Sequence, residues 1–245
     1  MKHLLLLIAF SIFYLNHTYG QSFWNDWLDK DFGNDGVFRH SINADPEIAY
    51  DIEIQWDGKI VLSGSANFNT ANEQVFIMRL LENGSIDSSF ANNGLFTLEI
   101  GNKISYITSL KILSDSSILA GGSIGITGSD SEPFALKITA KGELDSTFAN
   151  NGYAIHPSPG KSAYATGMAV LPDKRIMLTG FLYHNNGSNI TDVFQLMLDS
   201  LGFPDSSFGM NGYVLHDFHQ FDDARNLIDD HNGGYLLCGS ANNFN

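Results

Sequence analysis

Cysteine is nearly absent. Cys238 stands alone in 245 residues, so the chain cannot close a disulfide on itself, and a small fold stapled by disulfides is excluded. Stability must come from packing. Cations are scarce too: 13 Lys and Arg face 27 Asp and Glu, for a formal net charge of −14. Such a chain repels phosphate backbones, so nucleic acid is not expected as a partner. Beyond the N-terminus no apolar run approaches the roughly 20 residues a spanning helix needs, so no membrane span is expected in the mature chain. The signatures of catalysis are missing as well. There is no H-E-x-x-H helix, no paired-cysteine metal spacing and no phosphate-cradling glycine loop. No catalytic, cofactor-binding or metal-ligating residue is assigned from sequence, no cofactor is expected, and the chain is read as not an enzyme.

What is present begins with a secretory signal. Lys2 and His3 precede an apolar run over residues 4–15, and Thr18-Tyr19-Gly20 supplies small residues for cleavage. Residues 1–20 read as a signal peptide, with the mature chain starting at Gln21 and exported to an extracellular destination. No cysteine follows the run, so a lipid anchor is not expected.

The remainder is organised by a repeated word. Leu144-Asp145-Ser146-Thr147-Phe148-Ala149-Asn150-Asn151-Gly152 has counterparts around Asp29 and Phe32, Asp87 and Phe90, and Asp205 and Phe208; the four aspartates fall 58, 58 and 60 residues apart. A fixed period of that size means stacked supersecondary units. The units run 28–85, 86–143, 144–203 and 204–245, the last truncated. Each reads as four strands, in the first unit residues 37–42, 49–56, 59–65 and 74–81. Asp57-Gly58 predicts a tight type I′ hairpin between the second and third strands. Asp115-Ser116, Asp173-Lys174 and Asn232-Gly233 keep its place but predict other turn types. The third strands, such as Ile60-Val61-Leu62 and Ile176-Met177-Leu178, are continuous apolar runs suited to burial on both faces.

Each run ends in a small residue and a glycine (Gly64, Gly122, Gly180, Gly239), which predicts close backbone approach or a bend where units meet. Cys238 precedes the last of these and is expected to be a buried small residue. The fourth strands, such as Phe76-Ile77-Met78-Arg79-Leu80, alternate and predict one core face. The motif aspartate is expected to close an Asx-turn on the backbone two residues on, while the phenylalanine plugs the core.

The order D-[SK]-x-F-[GA]-x-[ND]-G, then D-G-K-I-V-L-S-G, then F-x-[ML]-[RK]-[LI]-x-x-x-G resembles the delta-60 repeat over nearly the whole mature chain. Asp57-Gly58-Lys59 and Leu28-Asp29 carry its most typical words, whereas Asp115-Ser116-Ser117 and Asn232-Gly233-Gly234 depart from them. The resemblance implies a secreted bacterial protein with tandem β-propeller-like units, and it implies no reaction. The expected fold class is therefore all-β, antiparallel four-stranded units in a propeller or propeller-like array, incomplete because the fourth unit stops without its last strand. A fragment of a longer protein is expected ahead of closure by strand exchange.

Three candidate sites follow. His40, His156 and His216 share one repeat position, with Leu98 in the second unit, and three imidazoles about one axis would suit a metal; a half-exposed strand position is the plainer reading. The loop from Asp31 to Gly36 lacks the third- and twelfth-position ligands of an EF-hand, since Gly33 and Ile42 stand there. Calcium at another cluster of turn aspartates stays open. The connections between third and fourth strands vary most, and variable insertions in repeat proteins gather on the binding face. Phe181, Tyr183, His184, Asn185 and Asn186 make the richest of these, with groups suited to sugars or peptides.

Asn83-Gly84-Ser85, Asn186-Gly187-Ser188 and Asn189-Ile190-Thr191 match glycosylation acceptors but read as turn residues in a bacterial chain. The expected function is a secreted, non-catalytic repeat scaffold presenting loops to a protein or glycan at the cell surface. A propeller-type enzyme acting on extracellular glycans, or a spacer within a larger surface protein, are the alternatives.

Overall fold

The computed structural model describes residues 28–242 apart from residues 44, 69, 71–72, 102, 127–128, 185–189, 219–220, 231 and 233. The expected signal peptide (1–20) lies outside the described residues, as do Asn185, the Asn186-Gly187-Ser188 pattern and Asn189 of the third glycosylation pattern.

The described residues form antiparallel sheets and no helix. Blade 1 comprises β1 (Ile48–Ile54), β2 (Ile60–Ala66), β3 (Gln74–Leu80) and β4 (Leu95–Leu98). Blade 2 comprises β5 (Ile104–Ile112), β6 (Ile118–Ile126), β7 (Ser129–Ile138) and β8 (Tyr153–Ile155). Blade 3 comprises β9 (Ser162–Val170), β10 (Ile176–Tyr183), β11 (Thr191–Leu198) and β12 (Tyr213–His216). A final hairpin, β13 (Phe221–Asp229) and β14 (Tyr235–Asn242), supplies the first half of a fourth blade and joins blade 3 through one parallel bridge, Thr191 to Phe221. The described residues are thus all-β and propeller-like, and their array does not close.

Blades and sequence units are one strand out of phase. β4 follows the Asp87 motif in sequence yet completes the sheet begun by β1, by pairing with β3. β8 and β12 do the same with β7 and β11. This corrects the expectation of a strand over residues 37–42. Val37 bridges only to Gly33 and Asn34 in its own turn, because among the described residues no preceding strand is present to receive it.

Neighbouring blades pack through their first strands. β5 lies against β1, β2 and β3; β9 against β5, β6 and β7; β13 against β9, β10 and β11. Val61, Val75 and Ile77 of blade 1 therefore share one core with Ile107, Leu110 and Ile118 of blade 2. Leu119 and Ala135 of blade 2 join Ala163, Met168 and Leu178 of blade 3. Apolar burial of this kind, worth about 25 cal/mol per Å², is the main source of stability in a chain with no crosslink. Because both faces of each inner sheet are covered, β2, β10 and β11 are buried almost throughout. The alternating pattern expected of the fourth strands is corrected accordingly: β3 is buried on both faces, with Arg79 inside.

The recurring glycine has a definite cause. Every first strand carries a β-bulge that leaves one residue unpaired: Tyr50, Thr108, Thr166 and Arg225. The bulge pushes a carbonyl against the second strand of the same blade. A Cβ on Gly64, Gly122, Gly180 or Gly239 would lie 1.8, 2.0, 1.8 or 1.9 Å from that oxygen. The close approach expected from sequence is there, within a blade rather than between blades. Two of the unpaired residues also tie blades together: Thr108 Oγ1–H donates to Ala165 O at 2.9 Å, and Thr166 Oγ1–H to Ala224 O at 2.7 Å.

The hairpin turn is also corrected. At Asp57-Gly58 only the glycine has positive φ, +83°, whereas type I′ needs it at both central residues. Gly58 N–H donates to Gln55 O and Gln55 N–H to Lys59 O, which makes a three-residue loop ending in a left-handed residue. Ser116 and Lys174 take that left-handed position in blades 2 and 3 with the same hydrogen bonds. The turn type persists while its residues change.

Candidate functional site

The repeated aspartates are occupied by structure. Asp29, Asp87, Asp145 and Asp205 each accept the N–H two residues on, from Asp31, Ser89, Thr147 and Ser207, at 2.9–3.1 Å. In the last three the other carboxylate oxygen meets a cation: Arg79 at 2.9 Å, Lys137 at 2.9 Å and Arg175 at 3.2 Å. Met197 stands in blade 3 where blades 1 and 2 have Arg79 and Lys137, and Arg175 reaches in from the β9–β10 turn instead. The Thr147 hydroxyl and Lys137 together hold the Asp145 carboxyl down at about 2. Phe32, Phe90 and Phe148 are buried as expected, and Phe208 partly so. Three of the four motifs also grip the next turn: Gly33, Ala91 and Ala149 donate N–H to Asn83, Lys141 and Leu201 carbonyls at 2.7–2.8 Å. A carboxyl held this low, with both oxygens engaged, is a poor general acid at neutral pH.

The three histidines do not converge. Among the described residues they form no group with ligand atoms close enough to share an ion. His40 is exposed and stacks on Phe38. His216 Nε2 lies 2.8 Å from Gln195 Oε1. His156 is only 3% exposed, and burial drives its imidazole down to about 4. Cys238 is exposed rather than buried, a correction of the expected small core residue. Its counterparts Ser63 and Thr179 are enclosed by the strands beyond them, and β14 has no such neighbour among the described residues.

Phe181 and Tyr183, expected in the connection between third and fourth strands, lie instead on β10 itself and meet Tyr164 of β9. Of the expected residues that are described, only His184 falls in the connection. Phe181 stacks on Tyr164 at 5.1 Å and 18°, and Tyr183 meets both edge-on at about 6 Å. His184 Nε2 sits 2.9 Å from Asp192 Oδ2. Asp192 pairs with Leu182, one step out of register with Phe181 and Tyr183, so it lies on the opposite face of the sheet from the aromatic trio.

Two further carboxylates join Asp192. Asp217, just after β12, and Asp222, on β13, each place an oxygen within 4.8 Å of the other two groups. Asp192 is 5% exposed and Asp222 fully enclosed, while Asp217 is exposed. Phe218 N–H donates to Asp222 Oδ2 at 2.5 Å. Among the described residues this is the one trio of His, Cys, Asp or Glu that could hold a metal ion. Its donors are all carboxylate oxygens, the choice of a hard cation. Reading the sequence missed it, because the three aspartates meet only where β13 docks on blade 3. The visible signal was a local density of acids, Asp217, Asp222 and Asp223, outside the repeated motif.

The Asp51 carboxyl titrates above its ordinary range. Burial lifts it, and its Oδ2 accepts Leu110 N–H across the first blade interface at 2.7 Å. That contact gives it a structural task. No helix among the described residues is long and apolar enough to cross a membrane. No curated protein matches the chain significantly. Residues 55–90, from the first hairpin turn through β2 and β3 to Phe90, match the family model described as Domain of unknown function (DUF5122) beta-propeller, so this stretch is similar to a propeller-type repeat family.

Proposed function

We propose that the chain is a secreted bacterial repeat scaffold of the delta-60 kind, non-catalytic, which presents its inter-strand loops to an extracellular or cell-surface protein or glycan. The observation that carries this is the division of labour among polar groups. Three of the four repeated aspartates hold both an Asx-turn and an ion pair. Chemical variety is left to the connections after β2, β6 and β10. Beside the last of these, Tyr164, Phe181 and Tyr183 cluster on one face of blade 3, and aromatic faces suit sugar rings and peptides.

One observation favours the second reading, a propeller-type enzyme on extracellular glycans. Asp192, Asp217 and Asp222 are clustered acids outside the repeat, which is what a glycosidase site requires. Two of them are enclosed, which leaves little room for a glycosidic bond between them. The test is incubation of the full chain with immobilised chitin, cellulose, peptidoglycan and cell-surface protein fractions, scoring retention and release of reducing ends separately. Retention without release is the expected result. Release that disappears in Asp192→Asn would overturn the non-catalytic reading in favour of the enzyme.

A further inference from the structure

We propose that Asp192, Asp217 and Asp222 form a calcium site that fastens the β13–β14 hairpin to blade 3. Proximity of acids alone would not establish this. The independent observation is Asp222 Oδ1, which is buried in a residue with no exposure and has no hydrogen-bond partner, while Oδ2 is taken by Phe218 N–H. A desolvated carboxylate oxygen without a partner costs several kcal/mol unless a charge of opposite sign meets it.

Comparison between blades strengthens the case. The strand registers place Gln74, Glu99 and Ser105 at the equivalent positions of the first blade interface, and Glu132, Pro157 and Ala163 at the second. Each of those junctions carries one carboxylate, and Glu132 has Lys103 3.6 Å away. Only the third junction concentrates three. None of the three positions is acidic at every junction, so the fold itself needs no acid there, and what gathers three at the third junction is a ligand rather than the architecture.

Chemistry selects the ion. The three oxygens lie within 4.8 Å of one another, inside the about 5 Å that can separate oxygens on opposite sides of calcium at bonds of about 2.3–2.6 Å. Magnesium demands near-ideal octahedral geometry with bonds near about 2.0–2.1 Å and sheds its water reluctantly, so a site of three protein carboxylates suits it less. His184, 2.9 Å from Asp192 Oδ2, is placed to orient that carboxylate, as outer partners of metal ligands do.

The experiment uses the full chain, stripped with chelator and desalted, titrated with calcium chloride by calorimetry and followed in parallel by thermal melting, with magnesium chloride at equal ionic strength as control. Saturable binding of one calcium is expected, with a dissociation constant on the order of 10⁻⁴–10⁻³ M, the range of extracellular modules, together with a rise in melting temperature that magnesium does not reproduce. Asp217→Asn, at an exposed position that leaves the fold intact, should weaken binding at least about tenfold. Asp222→Asn should abolish it and, in the absence of calcium, melt no lower than the parent, because an unmatched buried charge has been removed. No calcium-dependent shift, an equal shift with magnesium, or unchanged affinity in Asp217→Asn would each overturn the site.

Discussion

At the scale of single residues, two positions carry sharp consequences. Gly180 faces the Tyr164 carbonyl, and a Cβ there would lie 1.8 Å from the oxygen. The obstacle is backbone held by a bulge, so it cannot swing aside. Gly180→Ala should cost at least the upper end of the about 1–3 kcal/mol typical of overpacking, read as a lower urea midpoint, whereas Gly101→Ala meets no atom within 4 Å of its Cβ position and should lose only the about 1 kcal/mol of its left-handed φ of +62°. An equal, small effect at both would show that the bulge yields. His156 is the second. Burial holds its imidazole at about 4 against an ordinary 6.5. The unfolded chain therefore takes up a proton, on lowering pH through 6.5, that the folded chain refuses until about 4. Its contribution is complete above 6.5 and is lost across that window, at no more than about 1.4 kcal/mol per pH unit. His156→Leu should flatten the dependence of melting temperature on pH between 6.5 and 4, and an unchanged slope would place the titration elsewhere.

At the scale of elements, the motif turn is a small machine with three linked parts: an Asx-turn, an ion pair and a buried ring. Asp145 shows all three, with Thr147 N–H at 3.0 Å, Lys137 at 2.9 Å and Phe148 in the core. Asp145→Asn should cost about 1–3 kcal/mol, since charged hydrogen bonds are lost from a partly enclosed turn. Its carboxyl sits at about 2 rather than 3.8, so its stabilisation is present above 3.8 and fades as pH falls toward 2. The gap between parent and Asp145→Asn in equilibrium unfolding should narrow over that interval, and a gap constant with pH would separate the turn from the charge.

These turns were legible in advance because an Asx-turn and its plug are local, fixed by Asp145, Thr147 and Phe148 within four residues. The hairpin type was not. Asp-Gly tolerates two left-handed residues, but the twist between β1 and β2 is met with one at Gly58, and Ser116 and Lys174 accept the same strain. The strand expected over residues 37–42 failed for a non-local reason: its counterparts exist only by pairing with the preceding unit's strand.

At the scale of the whole molecule, the period of the aspartates disclosed the stacking, and the apolar third strands disclosed burial on both sides. What the period conceals is anything that occurs once. Asp192, Asp217 and Asp222 come from β11, the end of β12 and β13, and neither spacing nor composition brings them together. The docking of the fourth hairpin does. The exposure of Cys238 has the same origin, since burial at that position is supplied by a neighbouring strand rather than by the residue itself. Function, on this account, belongs to what differs between blades, while the repeated residues hold the blades in place.

The most direct test exchanges one such difference and leaves the repeat untouched. Residues 183–190 of blade 3 would be replaced by residues 67–72, which occupy the equivalent connection of blade 1, and retention on the extracellular material bound by the parent would be measured beside the melting temperature. The predicted result is a cooperative melt close to the parent's with retention lost. Retention at the parent's level by the exchanged chain would contradict the account and move the binding surface onto the repeated framework itself.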